Sequence, residues 1–99
     1  MKKVPFSFHR FAEQELEQAA GHYFEIDPDL EKDFLDSVDH AIGQVRELPF
    51  SCPEIFEGIR RKVLSRFHHY NFCKYENGQI RILSVRHQSQ DSPDKIDRS

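Results

Sequence analysis

The stretch Ile59–Asp91, IRRKVLSRFHHYNFCKYENGQIRILSVRHQSQD, constrains this chain most. Asn77-Gly78 sits between two runs rich in aromatic and β-branched residues, the strongest short-range signal for a tight hairpin. Ile59–Phe67, Tyr70–Tyr75 and Ile80–Arg86 therefore read as three strands. Charge follows the same division. Residues 60–86 hold seven Lys or Arg against one acid, Glu76, whereas residues 1–57 hold thirteen acids against five Lys or Arg. A net charge of -3 thus conceals an acidic half followed by a basic sheet, and contact with a polyanion is expected on the sheet.

Two helices precede the strands. Ala12, Leu16, Ala19, Ala20 and Tyr23 recur at helical spacing, with Glu13, Gln14 and Glu17 opposite them. Asp27-Pro28-Asp29 ends that helix and caps the next. The second runs from about Leu30 to Leu48 with an apolar stripe of Leu30, Phe34, Val38, Ala41, Ile42, Val45 and Leu48, and Pro49 stops it. So short a link predicts an antiparallel helical hairpin. Val4–Phe8 alternates apolar and small residues as a short strand, and Pro5, which lacks a ladder donor, places it at an edge. Residues 49–58, with two Pro and one Gly, read as a loop. The expected order is β-α-α-β-β-β, an α+β fold with the hairpin packed on a small twisted antiparallel sheet. Residues 1–90 form one domain, and 91–99 form a frayed polar tail.

Composition narrows the chemistry. Met1-Lys2-Lys3, soon interrupted by Pro5, is too short for a signal peptide, and no apolar run nears the roughly 20 residues of a membrane span. The expected location is cytoplasmic, with Cys52 and Cys73 as unpaired thiols. Six scattered His match no metal spacing, no Gly-rich phosphate loop is present, and no cofactor is implied. Cys73, beside Lys74, reads as a buried strand residue rather than a nucleophile.

Period-two geometry puts Arg60, Lys62, Leu64 and Arg66 on one side of their strand and Arg61, Val63, Ser65 and Phe67 on the other. The second set resembles the core side, which leaves Arg61 at the sheet margin. In the last strand Arg81, Leu83, Val85 and His87 share one side, and Ile80, Ile82, Ser84 and Arg86 the other. Both sides are half apolar, so its orientation stays open. Arg60, Arg61, Arg66, Tyr70, Arg81, Arg86 and His87 are the candidate cradle for an anionic partner. A sheet face kept soluble by charge is the alternative. Phe11, Phe24, Phe50 and Phe56 lie outside the apolar stripes; they serve either the core or a partner's landing area.

The phrases FSFHRFAEQELEQAAGHYFE, LEKDFLDSVDHAIGQVRELP, GIRRKVLSRFHHYNFCKY and QIRILSVRHQSQD resemble, in order and spacing, the RelE/ParE superfamily of toxins, and within it the ParE-like, plasmid-stabilisation branch. The likeness spans about 85 residues. It implies a toxin neutralised by a cognate antitoxin in a hetero-oligomer, with Phe11, Phe24, Phe50 and Phe56 as candidate antitoxin contacts. ParE-like members bind and inhibit DNA gyrase; RelE-like members cleave messenger RNA on the ribosome. For cleavage this chain offers Arg61, Arg81, Arg86 and His87, but no Tyr follows Tyr75, where the RelE-like set has one. Gln88, Ser89 and Gln90 stand where the ParE-like branch commonly has a second basic residue, and His69 stands where it commonly has Pro. Gyrase binding, RNA cleavage and a non-toxic module that only binds its partner are the three readings.

Overall fold

A computed structural model describes residues 4–64 and 66–88. The leader reading of Met1–Lys3, Ser65 and the polar tail from 91 lie outside them. The elements are β1 (Phe6–Phe8), α1 (Arg10–Ile26), α2 (Pro28–Glu47), β2 (Glu54–Phe56), β3 (Ile59–Val63), β4 (His69–Glu76) and β5 (Gln79–His87). The helical hairpin packs on one face of a five-stranded sheet ordered β1-β5-β4-β3-β2.

Local chemistry explains the helix ends. His9 caps α1, its Nδ1 accepting from the Phe11 amide at 3.2 Å. Asp27 serves both helices. Its N–H donates to the Tyr23 carbonyl, while its Oδ1 accepts from the Asp29 amide at 2.9 Å, with Pro28 in the first turn of α2. Phe34, Val38, Ala41, Ile42 and Val45 of α2 meet Ala12 and Ala20 of α1 and the strand residues Cys73, Ile80, Ile82 and Val85 in one core. Leu48, expected on the α2 stripe, is 64% exposed, because the helix has already ended. Arg46 ties the sheet's start to α2, its Nε donating to the Val4 carbonyl at 2.6 Å.

Three expectations need correction. The supposed loop at 49–58 contains β2, joined to β3 by a two-residue turn in which Glu57 (φ 40°) and Gly58 (φ 84°) are both left-handed. The sheet is antiparallel from β2 to β5, but β1 joins β5 in parallel, Phe6 beside Ile80 and Phe8 beside Ile82. The strand expected to reach Phe67 stops at Val63. The turn at Asn77 (φ 54°) and Gly78 (φ 74°) is the expected tight hairpin, its twist matched to its strands.

Candidate functional site, the open face of the sheet

Register assigns each strand residue to a face, because directly paired residues point the same way. Cys73, Ile80, Ile82 and Val85 lie in the helix-packed core. Their partners Arg60, opposite Cys73, and Lys62, in register with Asn71 and through it Val85, therefore point toward the helices' side. The expectation that Arg61 and Val63 occupy the core side is thus reversed. Ile59, Phe72 and Leu83 form a second cluster, with Ile55 and Tyr70 against it and no helix residue in it. This second side is the open face.

A bulge completes the picture. Cys73 pairs with Ile82 and Phe72 with Ser84, so Leu83 is an extra residue in β5. It shifts the alternation, so Ile80, Ile82, Val85 and His87 go with the helices, and Arg81, Leu83 and Arg86 go with the open face. The even alternation read from the sequence fails at this point.

The open face carries two groups of cations. Arg86 pairs across from Tyr70, and the Arg61 guanidinium lies over the Tyr70 ring, 4.5 Å from its centroid. Four residues further along β4, Lys74 pairs with Arg81; at about 3.4 Å per residue the groups stand about 14 Å apart. Phe72 and Leu83 lie between them. Arg81 donates to Ser7 Oγ at 3.0 Å and the Phe8 carbonyl at 3.3 Å, which holds it at the β1 end.

Glu15 of α1, which no local sequence signal marks, fixes the other end. Past Phe8, β1 no longer covers β5. The Glu15 carboxylate fills the gap, Oε1 accepting from Ser84 Oγ at 2.8 Å and from the Val85 amide at 3.2 Å. Arg86 Nε donates to Ser84 Oγ at 2.8 Å and lies 3.7 Å from Glu15 Oε2.

The remaining candidates are elsewhere. Arg60 donates to the Cys52 carbonyl at 2.6 Å, lies over the Phe50 ring and sits 3.8 Å from Glu54. It holds the segment before β2 in place. Arg66, in the turn before β4, pairs with Asp33 of α2 at 2.9 Å. His87 pairs across from His69 on the helix side. The seven-residue cradle therefore divides, with Arg61, Tyr70, Arg81 and Arg86 on one face and Arg60, Arg66 and His87 away from it. Phe11, Phe24, Phe50 and Phe56 are 41%, 51%, 64% and 41% exposed, so they are not core residues. The first two lie on α1 and the last two flank β2's segment, where Phe50 also packs on Tyr75.

A cleft of about 500 Å³ opens between α1 and the ends of β4 and β5, lined by Glu15, Gln18, Ala19, His22, Tyr23, His69, Val85 and His87. His69 is buried against Tyr23 and Phe34, its Nε2 3.1 Å from the Tyr23 hydroxyl. Burial first, and then the neighbouring His87, His22 and His68, push its pKa down to about 4. Among the described residues no group of three or more His, Cys, Asp or Glu is arranged to hold a metal ion. Burial, aided by Cys52 and opposed by Arg60, pushes the Cys73 thiol up to about 12, so it is inert at neutral pH. No helix among the described residues is long and apolar enough to cross a membrane.

No family model and no curated protein sequence matches the chain. Its fold does match a solved chain from the chromosomal ParDE TA system from P. aeruginosa, with a TM-score of 0.63 over 86% of this chain and 96% of that one. The two are 20% identical, and the shared property is the fold, a helical hairpin on one face of the sheet.

Proposed function

We propose that this chain is the toxin of a type II toxin–antitoxin pair, of the ParE-like kind, which inhibits DNA gyrase by direct binding and is neutralised by a cognate antitoxin. The observation that carries the reading is the division of the candidate residues. Cleaving RNA requires a proton-transfer group beside the cations that hold the phosphate. Arg61, Arg81 and Arg86 belong to the open face, while His87 is paired with His69 on the opposite side. A cationic face centred on a ring and an apolar strip suits binding a protein surface better than cutting a phosphodiester. The likeness to a ParDE chain over nearly the whole domain supports the same reading.

Neutralisation calls for a partner that covers apolar surface. Phe24 and Ile26 at the tip of the hairpin, and Leu48, Phe50 and Phe56 around β2, supply two such areas for an amphipathic segment. The test is a supercoiling assay with purified gyrase and purified full-length chain, alongside sequencing of cut messages in cells that express it. Inhibited supercoiling that weakens at least tenfold in Arg61→Gln, with messages intact, is expected. Normal supercoiling at saturating protein would refute gyrase inhibition, and cuts in translated messages would assign the fold to RNA cleavage instead.

A further inference from the structure

We infer that the Asp27 end of the helical hairpin is an acid-released latch: protons taken up by a cluster of four imidazoles free residues 22–34 from the start of β4, while the sheet and the rest of the hairpin stay packed. Only its consequence for a partner rests on the toxin reading.

Four rings fasten that end. Tyr23 of α1 and Phe34 of α2 meet Phe67 and His69 at the entry to β4, with ring centroids 4.9 to 5.9 Å apart. The Tyr23 hydroxyl and His69 Nε2, 3.1 Å apart, add a polar link from helix to sheet. Elsewhere the hairpin is held by Ala12, Ala20, Val38, Ala41, Ile42 and Val45 packed with Ile80, Ile82 and Val85, none of which titrates. Acid therefore acts on one end of the hairpin only.

The imidazoles come from three directions. His87 of β5 is in register with His69, their ring centroids 5.2 Å apart, and His68 in the preceding turn lies 6.4 Å from His87. His22 of α1 faces them across the cleft, beside Gln18 and Glu15. Glu15 is the one acid lining the cleft among the described residues, and it is already engaged with Ser84, Val85 and Arg86. On α2, Asp33 is paired with Arg66. Burial opposes a proton on His69, and the charges of His87, His22 and His68 oppose it further. Geometry adds to this. An imidazolium carries two N–H donors. Tyr23 answers Nε2, but Nδ1 is buried with no hydrogen-bond partner among the described residues. Leaving the cleft wets both nitrogens and separates the charges, so the protonated ring belongs to the released state.

Phe24 and Ile26 are exposed just beyond Tyr23. A partner that grips them, as proposed above, meets a firm tip at neutral pH and a frayed one in acid.

The test is amide hydrogen exchange of the full chain alone, corrected for the intrinsic effect of pH. With the His69 pKa at about 4 when latched and 6.5 when free, the free state takes the proton first, so lowering pH from about 7 to about 4.5 multiplies opening about fiftyfold. Residues 22–34 are expected to lose protection by about ten- to fiftyfold, at a rate that about 1 M urea leaves unchanged, because local opening exposes little surface. The paired amides of β4 and β5 stay better protected and do respond to urea. Equal protection and equal urea response in the two regions overturn the inference, since the whole fold then opens at once. Unchanged protection of residues 22–34 in acid overturns it too. In His69→Phe, which keeps a ring against Tyr23 and Phe34, the acid effect shrinks to under about twofold; a full effect in that variant also refutes the latch. No partner and no topoisomerase is present, so the result is separate from that of the supercoiling assay.

Discussion

The two faces of the sheet are built from the same strands yet treat charge in opposite ways. On the helix side, Arg60 is consumed by structure, donating to the Cys52 carbonyl and stacking on Phe50, and His69 is buried in a form that resists protonation. On the open side, Arg61 and Arg86 flank a tyrosine, and Arg81 and Lys74 share a register. Adjacent residues, Arg60 and Arg61, therefore have different jobs because a strand alternates its side chains. A dense run of arginines is not by itself a binding site; the face to which each belongs decides its use.

That contrast can be broken in three ways. The largest effect is expected from pH. His69 has a folded pKa of about 4 against an ordinary 6.5. Between these values the unfolded chain binds the proton and the folded chain does not. Stability therefore falls as pH drops from about 6.5 to 4, by at most about 3 kcal/mol. Urea unfolding across that range measures the loss, and His69→Leu should flatten the part that this imidazole causes. If the slope is unchanged in the variant, the covered face is not where the pH sensitivity lies.

Next in size is the pair Arg60→Met and Arg61→Met. Loss of the charged donor to the Cys52 carbonyl should cost about 1.5–3 kcal/mol. Loss of the contact over Tyr70 should cost under about 1 kcal/mol, while abolishing most of the proposed gyrase inhibition. Thermal melts and supercoiling assays on both variants separate the two effects. Equal melting temperatures would erase the distinction between the faces. The smallest effect belongs to Asp33→Asn, which removes the partner of Arg66. That pair is partly exposed, so a loss of about 0.2–1 kcal/mol that shrinks with salt is expected.

Much of this fold is legible in the residues. The two apolar stripes, the shared Asp27-Pro28 junction and the Asn77-Gly78 turn are local signals, and each places an element where it stands. β2 was hidden because Glu57 occupies a left-handed position that sequence rules reserve for Gly or Asn, so Glu57-Gly58 does not read as a turn. The parallel pairing of β1 was hidden because alternation says which side a residue faces, never which strand lies beside it. The last strand resisted orientation for a definite reason. Leu83 is inserted, and one inserted residue exchanges the faces of everything after it. The cations were therefore found by type and spacing, but their division between faces needed the register. Glu15 left no mark at all, since its partner strand lies some seventy residues away in the chain.

That glutamate has a wider consequence. Sheets grow sideways by offering bare amides to a newcomer, and the flank of β5 beyond β1 would be one such invitation. A carboxylate already holds the Val85 amide, so a newcomer would have to evict a negative charge before zipping on. Lateral growth from this molecule, whether by a wanted guest or by a misfolded twin, is steered to the opposite rim.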